Sequence, residues 1–506
     1  MTPRRSVAGS LAIVLAALAS ACAVGPDFLR PKAPEVKEYT PSALPAETLS
    51  AEVAGGAAQR FVRDQDIPGQ WWTLFHCAPL NSLIEQALKA NPDLQSAQAA
   101  LRVARENVLA QQGAYFPAIN GNFSPSRQKN PTGSVAPTAA SGNPYFSLYT
   151  AQLSVSYMPD VFGLNRRTVE GLQAQADAQR FQLEATYLTL TSNVVAAAIE
   201  EAALRAQIAA TEEIIRLETE LLDLLRRQLA LGQVAEADVA AQDAALAAAE
   251  ATLPPLEKQL GRQRDLLAAL AGRLPSEEPT ETFALEALQL PEELPVSLPS
   301  KLVEQRPDIR QAEENLHAAS AQIGVAIANR LPNLTLTAAD GSSATQLGQL
   351  FTPGNGFWSL AASLTQPIFD GGTLLHKERA ARAAFELAQA QYLSTVIAAF
   401  QSVADALRAL QSDAKALKAA LRAERASARS LEITRTQLRL GAINYLALLN
   451  AQQTYLQSVI NLAQARANRF SDTAALFQAL GGGWWNRTDA AAQDDSDKLI
   501  DRFLGP

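Results

Sequence analysis

The stretch Gln437-Leu-Arg-Leu-Gly441-Ala-Ile-Asn-Tyr445-Leu-Ala-Leu-Leu-Asn450-Ala-Gln452 decides the fold, because the chain contains a second copy of it. Its only helix breaker is Gly441, set between two alanine-rich segments. Glycine suits a helix C-terminus, where a left-handed conformation costs it little. The chain then reverses and a second helix starts at about Tyr445, which makes a helical hairpin tip. Some 209 residues earlier stands Gln228-Leu-Ala-Leu-Gly232-Gln-Val-Ala-Glu-Ala-Asp238-Val239, where Gln228, Leu229, Leu231 and Gly232 answer Gln437, Leu438, Leu440 and Gly441.

The correspondence continues outward from the tips. Asn91-Pro92-Asp93-Leu94, with Ala97, Leu101, Ala104 and Val108, recurs as Arg306-Pro307-Asp308-Ile309, with Ala312, Leu316, Ala319 and Ile323. Phe116-Pro117 recurs as Leu331-Pro332, Pro159-Asp-Val-Phe-Gly163 answers Pro367-Ile-Phe-Asp-Gly-Gly372, and 267–272 answers 476–481. The chain is therefore an internal duplication of a unit of about 200 residues, a period far too long for a solenoid.

Both copies read alike. A helix is expected over 79–113, then alternation of Ile119, Gly121 and Phe123 with Asn120, Asn122 and Ser124 marks a strand. Residues 125–143, rich in Pro, Gly, Ser, Thr and Asn, read as a loop. Tyr145, Tyr149, Ala151, Leu153, Val155 and Tyr157 then share one face of a strand whose other face is mostly polar. Such alternation fits a transmembrane β-barrel strand, although a half-buried soluble strand shows it too. Residues 164–230 hold no Pro and a stripe of apolar residues at spacings of three and four, a coiled-coil type helix. After Gly232 a helix runs to Gly272, with Pro254-Pro255 expected to kink it. In the second copy the helix spans 300–330, a strand carries Leu334, Leu336 and Ala338, a loop covers 341–356 and a strand carries Trp358, Leu360 and Leu364. A helix over 373–440 leads to the Gly441 tip. The crossover 273–299 is expected to hold one short strand at 282–285, and Trp71-Trp72-Thr-Leu-Phe75 to pack a collar onto the body.

The implied divisions are a signal peptide 1–21, an N-terminal extension and collar 22–78, a first repeat 79–272, a crossover 273–299, a second repeat 300–481 and a C-terminal segment 482–506. At 1.5 Å per residue each long helix is about 100 Å and each short one about 50 Å. Two short helices laid end to end match one long helix, which predicts a straight palisade with the crossover and both termini forming a belt. Four strands cannot close a barrel, and an open edge is prohibitive in a bilayer. Copies of the chain must share one: two give eight strands, three give twelve and a channel. No stretch after Cys22 is expected to span a membrane as a helix.

The first residues are a separate device. Arg4-Arg5, an apolar core from Val7 to Leu18 and Leu18-Ala-Ser-Ala21-Cys22 make a secretory signal. Its end resembles a bacterial lipobox, which implies cleavage before Cys22 and a covalent diacylglycerol and N-acyl chain on that residue. Ala23 rather than Asp then implies sorting to the outer membrane, and several acyl chains give stable anchoring. Cys77 is left as a lone thiol, a small core residue without a disulfide.

Taken together, Cys22-Ala-Val-Gly-Pro-Asp-Phe28, Trp71-Trp72, Asn91-Pro-Asp-Leu94, Asp160-Val-Phe-Gly163, Arg306-Pro-Asp308, Pro367-Ile-Phe-Asp-Gly-Gly372 and Leu480-Gly-Gly-Gly-Trp484 resemble the TolC-like outer membrane efflux superfamily. Within it the chain is most similar to the NodT-type lipoprotein factors of RND efflux systems. The resemblance covers nearly the whole mature chain. It implies a mainly α protein with a membrane β part: a long α-helical barrel plus a twelve-stranded β-barrel, shared by a homotrimer with four strands per chain. It implies an outer-membrane channel with a periplasmic helical tunnel, passing drugs, detergents or metals from a periplasmic adaptor and an inner-membrane RND-type pump. By the same resemblance the tips dock the adaptor through Leu231, Gly232, Val234, Leu440, Gly441 and Ile443. The archetypal exporter carries two acidic residues at the tunnel entrance, and the matching positions here are Ala447 and Asn450. Asp238 occupies the first-copy equivalent of Ala447, and a pair between Asp238 and Arg439 is a candidate entrance contact.

A net charge of −8 without a basic stripe argues against nucleic acid. His76, His317 and His376 lack ligand spacing, and no nucleophile–base set or phosphate loop is present, so neither enzyme nor metal site is expected. Two rivals stand beside small-solute efflux: an outer-membrane channel for type I protein secretion, and a structural periplasmic coiled-coil lipoprotein.

Overall fold

The computed structural model describes residues 23–36, 38–41, 45–129 and 144–487. The signal peptide, Cys22 and the tail from 488 lie outside the described residues. The first copy contributes α1 (Ala78–Ala90), α2 (Pro92–Gln112), β2 (Ala118–Lys129), β3 (Tyr145–Tyr157), α3 (Leu164–Ala230) and α4 (Glu236–Leu270), after β1 (Arg60–Arg63) in the collar. Following β4 (Glu293–Val296), the second copy contributes α5 (Pro299–Gln305), α6 (Pro307–Ala328), β5 (Asn333–Ala344), β6 (Gly356–Thr365), α7 (Thr373–Arg439) and α8 (Tyr445–Ala479). Each copy thus repeats the same order, with long helices of 67 residues and closing helices of 35.

The compact units of the molecule are not the two copies. One unit takes residues up to Pro31, Ala100–Gln179 and Ala312–Tyr392; the other takes the rest, so each draws on both copies. The first unit holds the antiparallel sheet, in the order β2-β3-β5-β6. Its strands outrun their expected ends. β2 continues through Pro125 to Lys129, and the proline falls on the edge strand of the chain's own sheet, where prolines in sheets are found. β5 continues through Gly341 to Ala344, where a loop is expected. A Cβ on Gly341 would lie 2.5 Å from the Ala151 carbonyl, so this glycine marks close approach of the neighbouring strand rather than a turn.

In the second unit, the helix expected over 79–113 is two helices, broken at Asn91, and that over 300–330 breaks likewise at Arg306. Both break residues are extended, with ψ 124, because a following proline disfavours the helical conformation. The breaks are also held from outside. Asn91 Nδ2 donates to the Leu270 carbonyl at 3.1 Å, and Arg306 Nη1 to the Ala479 carbonyl at 2.9 Å, the matching helix end in each copy. A Cβ on Gly272 or Gly481 would lie within 2.5 or 2.6 Å of the carbonyl just before the break, Ala90 or Gln305. Two different side chains therefore make one repeated joint.

The crossover strand lies at Glu293–Val296, not 282–285, and pairs in parallel with β1. Phe283 and Leu285 alternate because both are buried in the core, without a ladder beside them. α4 runs unbroken through Pro254-Pro255. One further expectation is corrected: α7 contains an 18-residue window of mean hydropathy 1.2, long and apolar enough to cross a membrane by composition. Alanine is frequent along α7, and its Leu387, Leu393 and Ile397 are exposed in the single chain.

Collar, crossover and C-terminal residues meet in the second unit's core. Trp71 stacks on Phe477 at 5.4 Å, Phe75 lies 6.3 Å from Phe470, and Trp484 Nε1 donates to the Gln305 carbonyl at 2.7 Å. Gln59 Nε2 donates to the Pro291 carbonyl at 3.1 Å and to Thr473 Oγ1 at 3.0 Å. Cys77 is buried as a free thiol. Fully buried Arg469 donates to Thr48 Oγ1 at 2.9 Å, and burial depresses its pKa to about 10. Burial first, then the hydrogen bond and charge of Asp472, push the Asp413 carboxyl up to about 7, with Arg469 opposing.

An unfolded aspartate titrates near 3.9. Neutral Asp413 therefore stabilises the fold at low pH, and that contribution is lost as pH rises through about 7. The thermal midpoint of the detergent-solubilised protein should fall between pH 5 and pH 8, and Asp413→Asn should flatten that fall.

Candidate functional site

Both hairpin tips are built the same way from the same glycine. Gly232 and Gly441 have φ of +66° and +70°, and a Cβ at either would meet nothing within 4 Å. Gln233 N–H bonds back to the Gln228 carbonyl and Gly232 N–H to the Leu229 carbonyl, both at 2.9 Å. Ala442 to Gln437 and Gly441 to Leu438 repeat this pattern at 2.9 Å. This is the Schellman arrangement, which satisfies the last carbonyls of each long helix. It leaves Leu231 and Leu440 72% and 77% exposed, while Val234 and Ile443 are half-buried. With Leu446 at the start of α8 also exposed, the tips carry an apolar surface in the single chain.

The tips are tied together by Tyr445, whose hydroxyl donates to Gln228 Oε1 at 3.2 Å. Burial and then the Asp238 charge raise the Tyr445 pKa, which places the Asp238 carboxylate near the second tip. Asp238 itself is engaged as a helix cap, accepting the Ala235 N–H at 3.2 Å. Among the described residues no ion pair joins it to Arg439, which is exposed at the end of α7. The Ala447 N–H is capped by Asn444 Oδ1 at 3.1 Å, and Asn450 is exposed. The sequence reading misses Asn444 and the Tyr445–Gln228 link, the latter because its partners are 217 residues apart.

In the first unit, the register sorts the sheet into two faces. Ile119, Val155, Ala338 and Leu360 align across the four strands, and so do Gly121, Leu153, Asp340 and Trp358. The opposite face aligns Asn120, Ser154, Ala339 and Ser359, and then Asn122, Gln152, Gly341 and Phe357. On it Asn122 Nδ2 donates to Ser154 Oγ at 3.1 Å, and Thr150 and Ser343 hydroxyls bond at 3.1 Å. No charged residue lies on this polar face. Leu153, Trp358, Leu360 and Leu364 on the apolar face are exposed, the reverse of a soluble sheet that turns its apolar side inward.

The residues that follow Cys22 are packed down at the start of α3. Val24 N–H donates to the Phe162 carbonyl at 3.1 Å, and buried Arg167 reaches the Val24 carbonyl at 3.1 Å and Asp27 at 2.8 Å. A Cβ on Gly25 would lie 2.5 Å from Gly324 Cα. Phe28 stacks on His317 at 4.4 Å, and Glu314 chiefly, with Glu170, holds His317 above its ordinary pKa against burial. His317 is thus a positioned clasp; His76 and His376 lie elsewhere, and among the described residues no group of three potential ligands could hold a metal.

The sequence matches the family described as Outer membrane efflux protein over residues 83–273 and 298–482. It is similar to the probable efflux pump outer membrane protein TtgC of Pseudomonas putida, 30% identical over 485 residues, 96% of this chain and 97% of that protein. The cation efflux system protein CusC of Escherichia coli is 28% identical over 473 residues, 92% of this chain and 96% of its own length. Among solved structures the open state of the MtrE outer membrane channel of Neisseria gonorrhoeae superposes with a TM-score of 0.77 at 26% identity, covering 92% of this chain and 100% of that one.

Because nothing crowds a Cβ at the second tip, Gly441→Ala should cost only backbone strain, about 1–2 kcal/mol. Hydrogen exchange at the Ala442 amide should then speed by about tenfold or more, with the core amides of α8 unchanged.

Proposed function

The chain belongs to the outer membrane efflux protein family, and we propose that three copies close one channel through which small solutes pass passively. It is the outer-membrane channel component of an efflux system, working with adaptor and pump components, with a helical barrel and a β domain. Family and relatives are transport components rather than enzymes.

The observation that carries the passive reading is the uncharged polar face of the sheet. Turned inward in a closed barrel, Asn, Gln, Ser and Thr side chains hydrate a pore without attracting or repelling either sign of charge. Turned outward, the exposed leucines and Trp358 meet lipid. The edge strands β2 and β6 run antiparallel to one another, so β6 of one copy can continue the ladder onto β2 of the next. The apolar stripe of α7, exposed in one chain, is then covered by a neighbouring copy. Energy comes from the inner-membrane partner, for which an RND-type pump is our assignment. The transported class is drugs, detergents or metals.

We assign adaptor docking to the two tips. Leu231 and Leu440 supply the apolar contact, with Gly232 and Gly441 letting the backbone reverse tightly and Val234 and Ile443 supporting the turn. Asp238, Arg439, Ala447 and Asn450 line the entrance side of the same tips, so the second copy brings no acidic ring. Cys22 carries the lipid in this reading. The described chain that follows it in sequence, from Val24, is clasped at the joint between β3 and α3.

Leu231→Asp with Leu440→Asp should abolish cross-linking to the adaptor and restore drug or metal susceptibility, while single-channel conductance in planar bilayers stays as in the wild type. Unchanged cross-linking would remove the tips from the docking surface. Cys22→Ser should lose the acyl mass from the N-terminal peptide; an unmodified wild-type peptide would contradict the lipid assignment.

A further inference from the structure

Three charged residues occur on the four membrane strands, Arg127, Lys129 and Asp340, and all three lie on the apolar face. Arg127 pairs with Ser147 and Lys129 with Tyr145, continuing the row of Ile119, Phe123 and Pro125. In hydrocarbon a cation on this face is costly, and the cost falls away towards the interface. Both cations stand at the hairpin end of β2, away from the helices, the end that reaches the interface in a barrel.

No acidic partner for them lies among the described residues. Neither makes an ion pair among the described residues, and Lys129 instead lies 5.3 Å from the Tyr145 ring centroid, a cation–π contact on an exposed aromatic. The sequence from 130 to 143 contains no Asp or Glu, and nor does the other hairpin connection, 345–355. Asp340 sits two strands away from β2 and opposite Leu153, well down the strand from the row of Arg127 and Lys129. A closed barrel brings β6 beside β2, and β6 carries no acid either. Among the described residues the rim therefore presents two cations per chain without an anionic partner, directly continuous with an apolar band.

We propose that Arg127, Lys129 and Tyr145 form a binding site for the phosphorylated sugar headgroup of an outer-leaflet glycolipid, the acyl chains lying along Phe123, Ile119 and Leu153. The assignment rests on the outer-membrane barrel reading. Guanidinium and ammonium groups bind phosphate through charge-assisted hydrogen bonds. An aromatic beside them suits the interfacial level, where one side is apolar and the other wet.

The test uses the full chain in lipid nanodiscs, with native mass spectrometry to count bound lipid A. Wild-type protein should retain the bisphosphorylated form over its dephosphorylated analogue by about tenfold or more, and excess inorganic phosphate should not displace it. Arg127→Gln with Lys129→Gln should abolish the preference, while Arg127→Lys with Lys129→Arg should keep it. Equal retention of both lipids by an inserted wild-type protein would overturn the site and leave the barrel intact. Displacement by inorganic phosphate would replace a lipid site with a free-anion site and likewise overturn it. A chain that stays out of the bilayer overturns the site together with the barrel.

Discussion

A strand edge in hydrocarbon strands a row of backbone N–H and C=O groups, each costing several kcal/mol without a partner. The sheet has two such edges, β2 and β6, and only four strands in all. Closure by neighbouring copies is the constraint from which the rest follows. It explains why leucine and tryptophan side chains stand exposed on one sheet face while amides and hydroxyls line the other. It also explains why a helix as apolar as α7 carries an exposed stripe in the single chain. A soluble scaffold of the same helices would leave both features without a cause.

Closure in turn demands that all copies present helices of the same length and register. The structure meets this through the repeated joint at Asn91 and Arg306. In each copy a proline breaks the first helix, the preceding side chain reaches the carbonyl at the end of the last helix, and a glycine lets the two backbones touch. Asparagine donates through an amide and arginine through a guanidinium, yet both reach carbonyls at 2.9–3.1 Å. The duplicated sequence has kept the geometry of the joint and changed its chemistry. Since the compact units each draw on both copies, the duplication is a symmetry of the channel wall rather than a pair of domains.

Much of this is legible in the chain because it is local. The long helices begin and end where proline and glycine punctuate an apolar stripe, and both tips sit at the glycines that mark them. Period-two alternation finds all four membrane strands, although it ends β2 and β5 too early: Pro125 and Gly341 read as loop residues, while an edge and a close strand contact permit them. The misses are long-range. Nothing near 293–296 signals a parallel partner at Arg60–Arg63, and nothing near Arg469 and Asp472 announces the Asp413 carboxyl they meet. Within the single chain Asp238 makes a local contact that helix-end chemistry already contains. Asp238 stands three residues after the cap position, where an acidic side chain turns back to the cap N–H.

The measurement that bears most directly on closure is the detergent-corrected native mass of the protein extracted from outer membranes. Closure requires three chains in one particle, which supply the twelve strands that leave no free edge. A stable monomer, with β2 and β6 both unpaired, would contradict it.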